Sequence, residues 1–597
     1  LHWTFSPVLC IGRDLRWGRI NETFGEDPYL IGELAAAMIR GYQGEALSDD
    51  SSILACAKHY LAYGESTGAR DAQETPISER KVREIFLPPF RKAVEAGCAT
   101  LMSAYLAIDG TPVTASRKYL RTILKEELGF NGFVVTDWNN TGALTNGQFI
   151  ASDIDEATRM AVDAGNDMLM TTLESYDALI RLVKDGKLPE KLLDEAVGRI
   201  LRIKFAMGLF DNPRKISHGR KPRLFACPEH LKVNEQLTRE SIVLLENKNN
   251  LLPLNGNIRE IAVIGPNADD IRAQFGDWTF FTHPRLNPDA VPQIPVYTML
   301  AGIREECGKR GILVSWHQGC DIMDENVQDI DGAVSVANNA DVIVAVVGDC
   351  RTQNGETRDR ANLDLSGAQT DLLKALKKCG KPLIVILVNG KPLSVPWVKQ
   401  NADAVLETFN SGMFGGKAAA DILFGKFNPC GKLSISFPYH SGQLPVYYNQ
   451  LPGWHGGKYM DMPAEPLYPF GYGLSYTRWE YSNLRLSAFE CGTKERVDVT
   501  VDVKNAGSVD GWEIVQLYVR DDISSVVTPV KQLKGFQKVF VKAGETIAVT
   551  IPLEVSKLCV VREDCTEVVE PGTFTIMMGP DSRDESLLKA KLQVREG

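Results

Sequence analysis

The hydrophobic positions of this chain fall into three successive patterns. Over residues 1–212, apolar runs of strand length alternate with stretches whose apolar residues recur every three to four positions. That is the signature of βα repeats built around a parallel sheet. The runs at 3–9, 53–59, 100–106, 133–137 and 167–170 read as strands, and 29–42, 79–96 and 120–128 as amphipathic helices. Polar residues stand at the carboxyl ends of these runs: Lys58 and His59, Tyr105, then Asp137 and Trp138. Side chains so placed converge on one mouth, which predicts a (β/α)8 TIM-like barrel over 1–212. Only about five of its strands are visible, so roughly the first three βα units of a barrel are expected to be missing from this sequence. An open parallel edge would otherwise expose unpaired backbone.

A basic, proline-containing stretch at 212–223 opens a linker over 213–234, and a second α/β domain follows over 235–436. Its strands are expected at 261–264, 312–316, 342–347, 383–388 and 404–408, with a helix over 367–378 capped by Ser366 and closed by Gly380. Continuous Val/Ile runs between helices predict a parallel sheet covered on both faces. The turn Ile264-Gly-Pro-Asn267 is not followed by Gly-x-Gly-x-x-Gly or Gly-Lys-Ser/Thr, so no nucleotide loop is expected. Residues 437–483, rich in Pro, Gly and Tyr, read as an ordered connector. Over 484–597 the period switches to two, as in Val497-Asp-Val-Thr-Val-Asp-Val503. About seven short strands punctuated by turns predict a fibronectin type III-like β-sandwich.

Composition narrows the class. A net charge of −10 disfavours a nucleic-acid or anionic-membrane partner, and no apolar run is long enough to cross a bilayer. The 12 cysteines are scattered without a Cys-x-x-Cys pair, so they read as small buried hydrophobes rather than a zinc site. Cys559 and Cys565 flank a hairpin candidate and stand close enough in sequence to pair. Neither a metal nor a cofactor is expected. The compartment is left open, since the first residues look like a strand from inside a domain rather than a signal peptide.

Two places carry candidate chemistry. Asp137 ends a β-branched strand, where it either caps the following turn or lies at a catalytic mouth. The loop 348–360 leaves the strand at 342–347, is long and polar, and holds Glu356 near its tip; read alone, it is a solvated surface loop.

The motifs taken in order resemble those of glycoside hydrolase family 3, of the β-glucosidase type, over essentially the whole chain. Asp14-Leu-Arg-Trp-Gly-Arg19 with Phe24-Gly-Glu-Asp-Pro28 resembles the family's Arg-Trp-Gly-Arg…Gly-Glu-Asp-Pro segment. Lys58-His59 resembles its Lys-His pair, and Ser103-Ala-Tyr105…Gly110-Thr-Pro112 its Ser-Tyr strand. Gly132-Phe-Val-Val-Thr-Asp137-Trp138 is similar to the nucleophile strand, and Gly355-Glu356…Arg360-x-Asn-Leu-Asp-Leu365 to the acid/base loop. Tyr468-Pro-Phe-Gly-Tyr-Gly-Leu-Ser-Tyr476 and Val530-Lys-Gln-Leu-Lys-Gly535 are similar to the entry to, and a loop of, its fibronectin-type domain.

The resemblance implies a retaining exo-β-glycosidase acting on a β-linked oligosaccharide or glycoside. The first expectation is a β-glucosidase removing terminal non-reducing β-D-glucosyl residues by double displacement. A β-xylosidase or α-L-arabinofuranosidase on the same scaffold, or a non-hydrolytic carbohydrate-binding protein, are the alternatives. The implied catalytic pair is Asp137 as nucleophile and Glu356 as acid/base, which would span two domains. The implied sugar contacts are Arg19, Lys58, His59, Tyr105 and Trp138. The same resemblance allows a homodimer. Glu356 is expected to hold its proton through burial when the loop closes, with Arg351, Arg358 and Arg360 turned away or paired with Asp359 and Asp364. Two departures stand out. Leu106 replaces an Asn that many β-glucosidases carry after the Tyr, and the family's substrate-binding Asp is expected on a strand ahead of residue 1.

Overall fold

The computed structural model describes residues 1–214, 225–256, 258–279 and 294–596, so most of the 212–223 stretch lies outside the described residues. The chain divides into two compact units, the first comprising Leu1–Asp14, Thr23–Gly219 and Glu563–Thr566, the second Leu15–Glu22, Arg220–Arg562 and Glu567–Gly597.

In the first unit, strands β1 (Cys56–Tyr60), β2 (Thr100–Ser103) and β3 (Phe133–Thr136) pair in parallel in that order. Parallel bridges extend the sheet at both sides, Trp3 to Leu54 and Val8 to Lys58 on one, Val135 to Met168 on the other. The five expected strand segments are therefore present in the expected order, but the outer two shrink to isolated bridges. On the first, Pro7 has no N–H to give a ladder. On the last, the Asp167 carboxylate accepts from Val134 N at 2.8 Å and takes a place the backbone would fill. That carboxylate also pairs with Lys125 at 2.8 Å, both side chains being buried. Burial pushes the two toward their neutral forms, against the mutual attraction. Cys56, Met102, Phe133 and Val135 pack with Ile203 of the helix Glu190–Ala206 and with Met207 at its C-cap.

The helix Pro28–Gln43 matches its expected span and opens with Asp27 accepting from Leu30 N and Pro28 in the first turn. The helix expected over 79–96 is broken instead. A turn at Glu79–Lys81 passes into a widened stretch, Val82–Phe86, and a new helix starts at Pro88. Pro88 and Pro89 donate nothing and crowd the preceding turn, so a regular helix cannot run through them. The helix expected over 120–128 is likewise a wide-turn helix, Lys118–Glu127.

The second unit holds a six-stranded sheet of β4 (Val243–Asn247), β5 (Glu260–Ile264), β6 (Leu313–His317), β7 (Val342–Gly348), β8 (Leu383–Val388) and β9 (Ala404–Glu407). Their order is β4-β9-β8-β7-β5-β6. The all-parallel expectation is corrected at one edge: β4 runs antiparallel to β9. Apolar layers cover both faces of β7 and β8, Ile343 and Val385 on one, Val344 and Ile386 on the other. This double burial is why the strands read as unbroken apolar runs. Gly265 has φ +131°, and a Cβ there would lie 2.1 Å from Val346 O. The turn after β5 thus needs glycine for backbone approach. The helix expected at 367 begins at Gln369, and Ser366 does not cap it: its Oγ accepts from Gln353 Nε2 at 2.7 Å.

Toward the C-terminus, a three-stranded sheet (Trp479–Leu486, Arg496–Asn505, Thr546–Glu554) faces a five-stranded one, formed by Glu490–Gly492, Leu588–Arg595, Gly572–Gly579, Gly511–Asp521 and Gln532–Val541. Val497, Val499, Val501 and Val503 all turn into the shared core, as the alternation requires. The sandwich has eight strands where about seven were expected, and the first begins at Trp479. Cys559 and Cys565 are free thiols, so the suggested pairing does not form.

Candidate active site

In the first unit, Asp137 follows β3 directly and its side chain is 12% exposed. Trp138 N donates to Asp137 Oδ1 at 2.7 Å, and His59 Nε2 lies 3.5 Å from Oδ2. Tyr105 Oη donates to Trp138 O at 2.8 Å, tying the β2 loop to the residue after the carboxylate. Trp138 itself is 66% exposed. Lys58 and His59 sit inside β1 rather than capping its end, and both are buried. His59 stacks edge-on to Tyr63 at 5.4 Å between centroids. Leu106 is fully buried, so the position read as a departure serves the core. Asp137, His59, Lys58, Tyr105 and Trp138 thus lie on neighbouring parallel strands and their exits.

In the second unit, Glu356 sits on the loop leaving β7, with its side chain 24% exposed. Asp277, whose side chain is fully buried, accepts from Glu356 N at 2.7 Å and lies 4.0 Å from Arg358 Nη1. The segment Leu15–Glu22 belongs to this unit and holds the loop from the other side. Gly355 N donates to Gly18 O at 2.8 Å, Arg360 N to Arg16 O at 2.8 Å, and Gly18 N to Asp359 Oδ1 at 2.7 Å. Lys391 Nζ, pushed down to about 8 by burial, donates to Trp17 O at 3.1 Å. Arg19 is held by Glu22 through two bonds of 2.7 and 2.9 Å, and its Nη1 lies 3.5 Å from Glu356 Oε1.

The arginine pairing differs from the one expected with Asp359 and Asp364: Arg360 pairs with Asp349, and Arg358 donates to Arg351 O and Asn354 O. Asp359 is engaged by Gly18 N, and only the backbone carbonyl of Asp364 accepts from Arg360. Glu356 is a quarter exposed here, with a guanidinium beside it. Arg19, read as a sugar contact, is the cation involved. Asp277 escaped sequence reasoning, and Gly18 entered it only within the motif ending at Arg19, because their contacts span long sequence separations.

The close approach of Gly18 to the loop gives a testable consequence. A Cβ on Gly18 would lie 2.2 Å from Gly355 O and 2.8 Å from the Arg358 carbonyl carbon, both backbone atoms. Gly18→Ala must therefore displace the Glu356 loop. We expect kcat on an unactivated glycoside to fall by about 10²-fold, with the circular dichroism spectrum unchanged.

Comparison with known proteins completes the picture. The glycosyl hydrolase family 3 N-terminal domain matches residues 1–203, its C-terminal domain residues 242–476, and a fibronectin type III-like domain residues 513–582. The chain belongs to glycoside hydrolase family 3. As a family 3 hydrolase it acts on O-glycosyl bonds. A β-xylosidase of Formosa agariphila is 38% identical, over 99% of this chain and 83% of its own length. A periplasmic β-glucosidase of Salmonella typhimurium is 36% identical, over 98% and 79%. Among solved structures, a β-glucosidase involved in saponin metabolism from intestinal bacteria superposes with a TM-score of 0.96 at 40% identity, over 100% of this chain and 85% of that one. The Listeria innocua β-glucosidase in complex with glucose gives 0.90 at 34%, over 100% and 81%.

Proposed function

We propose that this family 3 hydrolase removes terminal non-reducing β-D-glucosyl residues with retention of configuration, with Asp137 as nucleophile and Glu356 as acid/base. The supporting observation is the Asp137 carboxylate at the exit of β3, oriented by Trp138 N at 2.7 Å. A group that must strike one carbon along one line is best held on a rigid element.

In the first step the Asp137 carboxylate bonds to the anomeric carbon while the C1–O bond breaks, and Glu356 gives its proton to the departing oxygen. In the second, Glu356 takes a proton from water, whose oxygen attacks C1, and the ester to Asp137 breaks. Two inversions leave the β configuration. Glu356 belongs on a loop because it serves two oxygens in turn; the Asp277 anchor fixes its backbone while its side chain keeps partial exposure. An arginine beside a carboxylate favours the charged form, so the Arg19 contact suits the base half of the cycle. The acid half requires that contact to loosen, and Arg19, Lys58 and His59 then donate to sugar hydroxyls. Trp138, exposed beside the nucleophile, offers a flat apolar face to a sugar ring.

The 38% identity to a β-xylosidase supports a second reading, in which the pocket prefers xylose. The ratio of kcat/KM on 4-nitrophenyl β-D-glucoside and β-D-xyloside decides between them. We expect glucose to be favoured at least about 10-fold, since a buried pocket that hydrogen-bonds a hydroxyl rejects the sugar lacking it. A ratio below one overturns the glucosidase reading and leaves the hydrolase.

A further inference from the structure

The His59 ring is held between two groups of the first unit. Cys10 Sγ lies 3.5 Å from Nδ1, and Asp137 Oδ2 lies 3.5 Å from Nε2. Cys10 is 3% exposed and His59 1%, so the contact is shielded from water. The sulfur also accepts from His59's own backbone N–H at 3.4 Å, the role of an acceptor. Lys58 O lies farther from Sγ, at 3.9 Å.

A neutral imidazole carries one ring proton, and the partner of one nitrogen sets what the other presents. The nitrogen facing the Asp137 carboxylate must carry the proton, because a bare lone pair there would be repelled. Nδ1 is then the bare acceptor, and the Cys10 thiol is the donor placed to meet it. We infer that Cys10 is a positioning residue that fixes His59 as the Nε2–H tautomer. The Tyr63 ring packed edge-on against the imidazole opposes a flip that would exchange the two nitrogens. The consequence is a ring N–H of fixed identity facing Asp137 Oδ2 at 3.5 Å and the sugar hydroxyl beside it. This consequence for catalysis rests on the assignment of Asp137 above; the tautomer itself does not.

The test is long-range ¹H–¹⁵N NMR of the full chain labelled at histidine, with His59 assigned by the signal lost in His59→Gln. In the wild type Nδ1 is expected to resonate as a bare nitrogen and Nε2 as a protonated one. Cys10→Ala should give mixed tautomers and lower kcat roughly ten-fold, and Cys10→Ser, which retains a donor, should restore both. A protonated Nδ1 in the wild type, or a Cys10→Ala enzyme with unchanged tautomer and kcat, overturns the proposal. If Asp137 is not the nucleophile, covalent labelling misses Asp137 while the NMR result stands, so the two claims fall separately.

Discussion

Asp137→Gly is expected to lower kcat on an aryl β-glucoside by on the order of 10⁴-fold, with the fold retained. Every productive path in the proposed mechanism passes through the ester on this carboxylate, so no neighbour can replace it. The substitution also strips Trp138 N of its acceptor at 2.7 Å. That leaves a partly buried donor unpaired, a cost of about 1–3 kcal/mol, and calorimetry should register it as a modest fall in Tm. The space left beside β3 admits a small anion. Added azide should therefore attack C1 directly and yield the α-glucosyl azide, a single inversion. A β-glucosyl azide, or a loss of rate below about ten-fold, contradicts the nucleophile assignment.

Glu356→Ala has a different signature, because an acid matters only as far as the leaving group needs a proton. On an alkyl or oligosaccharide glucoside we expect kcat/KM to fall by about 10²–10⁴-fold. On a 2,4-dinitrophenyl glucoside, whose leaving group departs as an anion, glycosylation should be nearly unaffected. Hydrolysis of the covalent intermediate then becomes limiting, seen as a burst of phenolate followed by slow turnover. Azide should restore the second step and give the β-glucosyl azide, the product of two inversions. An equal loss on both substrates means that Glu356 supports the loop rather than the proton transfers. Arg19 sharpens the point, since its guanidinium would lose the Glu356 carboxylate at 3.5 Å and keep its pairing with Glu22.

How much of this was legible in the sequence differs from residue to residue. Asp137 was readable because a β-branched run stops dead at a carboxylate, and the structure ends β3 at Thr136, one residue earlier. The sandwich strands were readable because each alternating valine from Val497 to Val503 is buried. Glu356 was not readable from its own surroundings; a polar loop carries no period, and only the resemblance singled it out. Lys58 and His59 read as a strand end but lie inside β1, where the register shifts between Ala57 and Tyr60 and pairing resumes at Tyr60. The break at Pro88 was overlooked because apolar spacing continues across it while the backbone cannot. The supports of the site left no local trace at all. Asp277 meets Glu356 N across 79 positions and Gly18 meets Gly355 across more than 300, contacts that no window along the chain contains. Cys10 read as a small hydrophobe because burial alone decides that reading, and its ring partner is 49 positions away.

The central claim is covalent catalysis by Asp137 on a glucosyl residue, and trapping the intermediate tests it most directly. The protein is incubated with 2,4-dinitrophenyl 2-deoxy-2-fluoro-β-D-glucoside, digested, and mapped by peptide mass spectrometry. The account predicts one fluoroglucosyl group per chain, on the peptide containing Gly132-Phe-Val-Val-Thr-Asp137-Trp138, and inactivation in step with labelling. A label on any other carboxylate, or full inactivation without a covalent adduct, contradicts it.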